Sequence, residues 1–131
     1  MILLDTHVIL MVALKPERLS KAAAQAVRRA SAGDGVAISS ISLWETAQLI
    51  NAGRVTVHGS TEAFLNEVVR RPELAVFEIS PEVAALSIQF PPDFTRDPAD
   101  RIIAATARAH GLPLVTRDGS MQDSPLLRTI W

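Results

Sequence analysis

Met1-Ile2-Leu3-Leu4-Asp5-Thr6-His7-Val8-Ile9-Leu10 sets one carboxylate inside an otherwise apolar opening. Three apolar residues cut off by an acid read as a short buried strand, which leaves the Asp5 charge close to the core. A carboxylate in that position needs a partner or a cation. Thr6 is placed to orient it by hydrogen bonding, and His7 is either a substrate contact or a half-buried packing residue. The stretch is a poor secretion signal, because it has no basic lead-in and Asp5 and His7 interrupt the apolar run.

Outward from this strand, short apolar runs alternate with helical stripes, the pattern of an α/β fold on a mainly parallel sheet. After a first helical stretch, Leu19-Ser20 opens a helix carrying Ala23, Ala26, Val27 and Ala30 on one face, with Gly33 as its stop. Val36–Ser39 is the next strand, followed by a helix from about Leu43 to Asn51. Ser60 begins another helix with a Phe64, Leu65, Val68, Val69 stripe, closed by Arg71-Pro72. Leu74–Ile79 is a strand, and Ser80-Pro81 caps a short helix. Phe90-Pro91-Pro92-Asp93-Phe94 is a stiff loop. Asp97-Pro98 opens a helix that stops at Gly111, Leu112–Thr116 is a further strand, and Leu127–Ile130 is an edge strand.

The chain has 131 residues, 48% hydrophobic and 21% charged, a globular balance in which 1–131 form a single domain. Zero cysteines exclude a disulfide scaffold and a thiolate metal site and fit a reducing cytoplasm. No run approaches the roughly 20 apolar residues of a membrane span, so no membrane partner is expected. At a formal net charge of −1, the whole-molecule field does not mark a nucleic-acid binder. Any RNA contact must come from local arginines and lysines, from metal ions or from a partner subunit.

In parallel sheets, ligands bind at the carboxyl ends of the strands. Asp5 and Asp118 each follow a strand there, and Glu45 and Asp100 lie in first helical turns that start at the same edge. Four carboxylates packed together repel unless cations or protons intervene, and Mg²⁺ or Mn²⁺ is the natural oxygen-liganded cation. Each acid except Asp5 also has an ordinary explanation. Ser42-Leu43-Trp44-Glu45 is a capping-box pattern; Asp97-Pro98-Ala99-Asp100 offers a cap at Asp97 and a dipole-favoured acid at Asp100; Asp118-Gly119 is a turn pair. Asp5 has no such capping role to fall back on.

Four ordered blocks, Leu3-Leu4-Asp5-Thr6-His7-Val8, Ser42-Leu43-Trp44-Glu45, Asp97-Pro98-Ala99-Asp100-Arg101-Ile102-Ile103-Ala104-Ala105-Thr106-Ala107 and Leu114-Val115-Thr116-Arg117-Asp118, together resemble the PIN-domain ribonucleases. The likeness is greatest to the VapC-type toxins of bacterial toxin–antitoxin pairs. The resemblance implies a three-layer α/β/α sandwich with a central, mainly parallel sheet and Mg²⁺- or Mn²⁺-dependent endoribonuclease activity with one or two ions. It also implies a homodimer and a cognate antitoxin that inserts an arginine into the pocket. The family's acidic residues fall on Asp5, Glu45, Asp100 and Asp118, with Thr6, Asp97 and Thr116 supporting them. Asp97 is read chiefly as the cap that positions Asp100. The polar segment Gly119–Pro125 departs from the family pattern, and within it Asp123 is a spare acid.

With no histidine or lysine placed as general base, the economical chemistry is metal-activated water with a carboxylate accepting its proton, leaving a 3′-hydroxyl and a 5′-phosphate. Arg96, Arg101, Arg117 and His7 flank the acids and are candidate RNA contacts, or else surface pairs. Phe90 and Phe94 either stack a base or pack on the core. The Ser20–Ala32 and Phe64–Val69 stripes either form a groove for an antitoxin helix or face the core. A receiver-like signalling domain would add a lysine after a late strand, whereas the only lysines are Lys15 and Lys21. A haloacid-dehalogenase-like phosphatase would carry an aspartate two residues after Asp5, where His7 stands. A metal-stabilised binding module without catalysis is the remaining alternative.

Overall fold

The computed structural model describes residues 1–131. The first strand, β1 (Ile2–Leu4), runs directly into α1 (Thr6–Leu14) through Asp5, and a 3-10 turn at Pro16–Arg18 leads to α2 (Lys21–Ala32). Then come β2 (Val36–Ser39), α3 (Ile41–Asn51), α4 (Thr61–Val69), β3 (Leu74–Phe77) and α5 (Pro81–Ser87). The chain closes with α6 (Pro98–His110), β4 (Leu114–Val115), α7 (Gly119–Gln122) and β5 (Thr129–Ile130). Ser80 caps α5 as expected, and Ser20 and Ser60, where helices were expected to open, cap α2 and α4 in the same way, each accepting from a backbone N–H three residues on.

The five strands are all parallel in the order β3-β2-β1-β4-β5. Alternate side chains sort the helices into two outer layers. Ile2, Leu4, Val36, Ile38 and Val115 meet Val8 of α1, Ala23 and Val27 of α2, and Phe64 and Val68 of α4. Leu3, Ala37 and Leu114 point the other way, onto Val83 of α5, Ile103 to Ala105 of α6 and Met121 of α7. The result is the expected α/β/α sandwich. Each fully buried Leu or Ile contributes roughly 1.5–3 kcal/mol relative to exposure, so the two cores hold the sheet from both faces.

The strands are shorter than the apolar runs. β3 stops at Phe77, where its neighbour β2 ends at Ser39. β4 shrinks to two residues because Pro113 has no N–H to donate to the ladder. Gly35 sits at φ +91, and a Cβ there would lie 2.8 Å from the Glu73 carbonyl oxygen, so this turn into β2 requires glycine. The chain builds outward from β1 to β2 and β3, then returns to place β4 on the other side of β1. That reversal opens a crevice at the carboxyl ends of β1 and β4, where Asp5 and Asp118 lie.

Candidate metal centre

Asp5 is buried, at 6% exposure, with an engagement on each oxygen. Its Oδ1 accepts from the Thr6 N–H at 2.7 Å, and its Oδ2 accepts from the Thr116 hydroxyl at 2.8 Å. Asp5 is also the N-cap of α1. This corrects the expectation that it alone lacks a capping role: β1 passes into α1 with no intervening loop, so the strand-end residue is also the helix start. The Thr116 hydroxyl in turn accepts from the Asp118 N–H at 3.0 Å, tying the ends of β1 and β4 together.

Glu45 is not part of a capping box. α3 begins at Ile41, two residues earlier than expected, and Ser42 is buried inside it. The Thr6 hydroxyl lies 2.5 Å from Glu45 Oε1 and 2.9 Å from Ser42 Oγ. With one proton to give, Thr6 donates to the carboxylate, and the Ser42 hydroxyl supplies the second bond. Ser42 thus serves the site through Thr6, a role that only the packing of α1 on α3 reveals.

Asp97 caps α6, its Oδ1 accepting from the Asp100 N–H at 3.1 Å, with Pro98 in the first turn. The cap is as expected, but Asp97 does more. One carboxylate oxygen from each of Glu45, Asp97 and Asp100 lies within 4.8 Å of the others. Asp118 caps the short α7, with Oδ1 accepting from Ser120 Oγ at 2.9 Å and the Met121 N–H at 3.0 Å. The polar segment Gly119–Pro125 begins with this helical turn, pinned by the fully buried Met121. Asp123 is its exposed C-cap and stands apart from the cluster.

Mutual repulsion and burial leave their mark on the protonation equilibria. Desolvation raises the Asp100 carboxyl to about 7, with further upward pushes from Asp5, Asp97, Glu45 and Asp118. Burial also raises Asp5, against the lowering effect of its Thr116 and Thr6 hydrogen bonds. Glu45 is raised by burial and by Asp5 and Asp97, against the lowering effect of the Thr6 bond. His7 is the one basic side chain whose charge acts on these acids, favouring ionised Asp5 and Glu45, and no acid of the cluster is held in an ion pair; the one ion pair in the chain joins the Met1 ammonium to Asp34 at 3.5 Å. A donor set of hard carboxylate oxygens with no ion-pair partner fits Mg²⁺ or Mn²⁺. The 4.8 Å spread of the tight trio is near the roughly 4.2 Å between opposite oxygens around one Mg²⁺.

Several expectations around the acids need correction. Arg101 is not free to reach RNA: its Nε donates to the Thr95 carbonyl at 2.6 Å, and its guanidinium lies over the Phe94 ring. Phe90 and Phe94 are buried and stacked on each other with centroids 4.2 Å apart, so they pack and do not offer a surface to a base. The α2 and α4 stripes turn Ala23, Val27, Phe64 and Val68 into the first core, which removes them as an antitoxin groove. His7, Arg96 and Arg117 are exposed.

The PIN domain profile matches residues 2–124. The chain belongs to the PIN domain family. Among PIN relatives, Ribonuclease VapC22 of Mycobacterium tuberculosis is 36% identical over 132 aligned positions, covering 99% of this chain and 98% of the relative. VapBC2 from Rickettsia felis, solved bound to a DNA fragment from its promoter, superposes with a TM-score of 0.73 at 18% identity, covering 98% of this chain and 97% of that one. FitAcB from Neisseria gonorrhoeae gives a TM-score of 0.66 at 25% identity over 98% and 96% of the two chains. The sandwich and its five-stranded order are therefore those of a PIN domain.

Proposed function

We propose that this PIN domain is a metal-dependent endoribonuclease and the toxin of a toxin–antitoxin pair. The observation that carries the reading is the trio Glu45, Asp97 and Asp100 within 4.8 Å, with Asp5 and Asp118 acting on Asp100 and none of the five held in an ion pair. The ribonuclease name of the mycobacterial relative supports the substrate class. The toxin–antitoxin complex from Klebsiella pneumoniae, with a TM-score of 0.67 at 22% identity, supports the fold on which the pairing is proposed.

Glu45, Asp97 and Asp100 would hold Mg²⁺ or Mn²⁺, with Asp5 and Asp118 beside them for the rest of its shell or a second ion. When bound, the ion neutralises charge on the phosphate and makes water acidic enough to attack near neutral pH. The chain's own groups do the positioning. Thr116 and the Thr6 N–H hold Asp5, and the Thr6 hydroxyl holds Glu45. The Asp97 cap fixes the start of α6 and with it Asp100. Water attacks phosphorus, a carboxylate of the cluster takes its proton, and the departing 3′-oxygen takes one from solvent, leaving a 3′-hydroxyl and a 5′-phosphate.

A single domain over 1–131, a homodimer and action in the cytoplasm complete the proposal; no helix is long and apolar enough to cross a membrane. The deciding experiment incubates the purified protein with single-stranded RNA and Mn²⁺. Cleavage that EDTA stops and Asp5→Asn abolishes is expected. Cleavage that persists in excess chelator or in the Asp5→Asn protein would sink the metal-nuclease reading.

A further inference from the structure

A cavity of about 580 Å³, within the size range of built ligand sites, is lined by His7 and Arg117, the near sequence neighbours of Asp5 and Asp118. Its wall carries six basic side chains, His7, Lys15, Arg18, Arg54, His58 and Arg117, and no acidic one. All six are exposed, and none is held in an ion pair. For a chain of net charge −1 this is a strong local reversal of the overall field.

The cavity is assembled from four separate parts of the fold. His7, Leu10, Met11 and Leu14 recur at i, i+3, i+4 and i+7, so one face of α1 forms an apolar floor behind a basic edge. Arg18 comes from the 3-10 turn after α1, Arg54 and His58 from the connection between α3 and α4, and Arg117 from the end of β4. Two of these residues join the cavity to the acidic centre: His7 lies two positions after Asp5, and Arg117 directly precedes Asp118.

We propose that this cavity is the subsite for the RNA strand flanking the scissile phosphate, its arginines holding neighbouring phosphates and its apolar floor receiving an unstacked base. This rests on the nuclease reading. A cation in the carboxylate cluster neutralises only the phosphate it touches. The next phosphates along the strand would face uncompensated acids unless positive side chains stood beside the cluster, and here they do. A concave, apolar-floored site fits a splayed base of single-stranded RNA, whereas a duplex keeps its bases stacked. Phosphate contacts of this kind position the strand without reading its sequence.

The test measures fluorescence polarisation of a short labelled single-stranded oligoribonucleotide across a salt series in EDTA, together with Mn²⁺-dependent cleavage kinetics. Arg18→Ala with Arg54→Ala should weaken RNA binding by roughly tenfold and lower the salt slope by about 1.4, the value for two lost single-strand phosphate contacts. KM should rise with kcat retained, and Arg18→Lys with Arg54→Lys should recover most of the affinity. Both arginines are exposed, and an unchanged circular dichroism melt checks that the variants fold. Wild-type affinity and salt slope in the double-alanine variant would overturn the subsite while leaving the nuclease reading intact. RNA binding that depends on these arginines without any Mn²⁺-dependent cleavage would do the reverse. Labelled polyglutamate serves as a second probe; if the double-alanine variant loses only that peptide, the cavity is a site for an acidic protein segment and the RNA assignment fails.

Discussion

Asp100 shows most directly how a single side chain is conditioned by its neighbours. Its carboxylate accepts no hydrogen bond from the chain, and burial first, then the charges of Asp5, Asp97, Glu45 and Asp118, raise it to about 7. Asp100→Asn should therefore abolish Mn²⁺-dependent cleavage yet raise the melting temperature of the metal-free protein, because it removes repulsion without breaking a bond. A lower melting temperature in EDTA would contradict that account. Thr116 is the opposite case: fully buried, it donates to Asp5 and accepts from the Asp118 N–H. Thr116→Val keeps the shape and removes both bonds. It should cost about 1–3 kcal/mol in denaturant unfolding and roughly 10–100-fold in Mn²⁺ affinity or activity.

Among the elements, α6 carries the most consequence, because its N-terminus is both a helix start and part of the acidic trio. The two duties of Asp97 separate by substitution. Asp97→Ala should lose about 1 kcal/mol of stability through the missing cap and also weaken metal binding. Asp97→Asn keeps an oxygen for the Asp100 N–H and removes a charge that repels Glu45 and Asp100, so in EDTA it should be at least as stable as the wild type while Mn²⁺ titration shows lost affinity. Equal metal affinity in the Asn variant and the wild type would return Asp97 to a purely structural role. The cap was legible beforehand in Asp97-Pro98, and only the family resemblance set Asp97 beside the acids. That the capping carboxylate also turns toward Glu45 depends on α3 and α6 packing side by side, which no local pattern states.

For the whole molecule, the acidic centre makes stability depend on pH in a definite direction. A carboxyl whose folded pKa is raised holds its proton more tightly folded than unfolded. The stability it contributes is therefore lost as pH climbs from the unfolded value of 3.8 through about 7, as for Asp100. Burial moves Asp5 and Glu45 in the same direction. In EDTA the melting temperature should be higher at about pH 5 than at about pH 8. Mn²⁺ should reverse the trend, because it competes with protons for the same oxygens and binds only the folded site. A metal-free protein equally stable at both pH values would show that the carboxylates do not repel one another as their placement implies.

Sequence alone determined the succession of strands and helices as far as β4, the mainly parallel sheet and, through the family resemblance, the chemical type of the site. Those features rest on local and periodic signals: Ile2-Leu3-Leu4 ending at Asp5, helix-opening serines at 20, 60 and 80, and Gly111 closing α6. Tertiary structure decided which residue does which job, since that depends on contacts between segments far apart in the chain. It turned the α2 and α4 stripes inward, engaged Arg101 with Thr95 and Phe94, and stacked Phe90 on Phe94. It also set the basic side chains of α1, the α3–α4 connection and β4 around one cavity. The Asp5 of the opening stretch was recognisable as a buried charge from its apolar neighbours alone. Its hold by Thr116, 111 residues away in the chain, and its part in raising Asp100 are properties of the folded sheet edge.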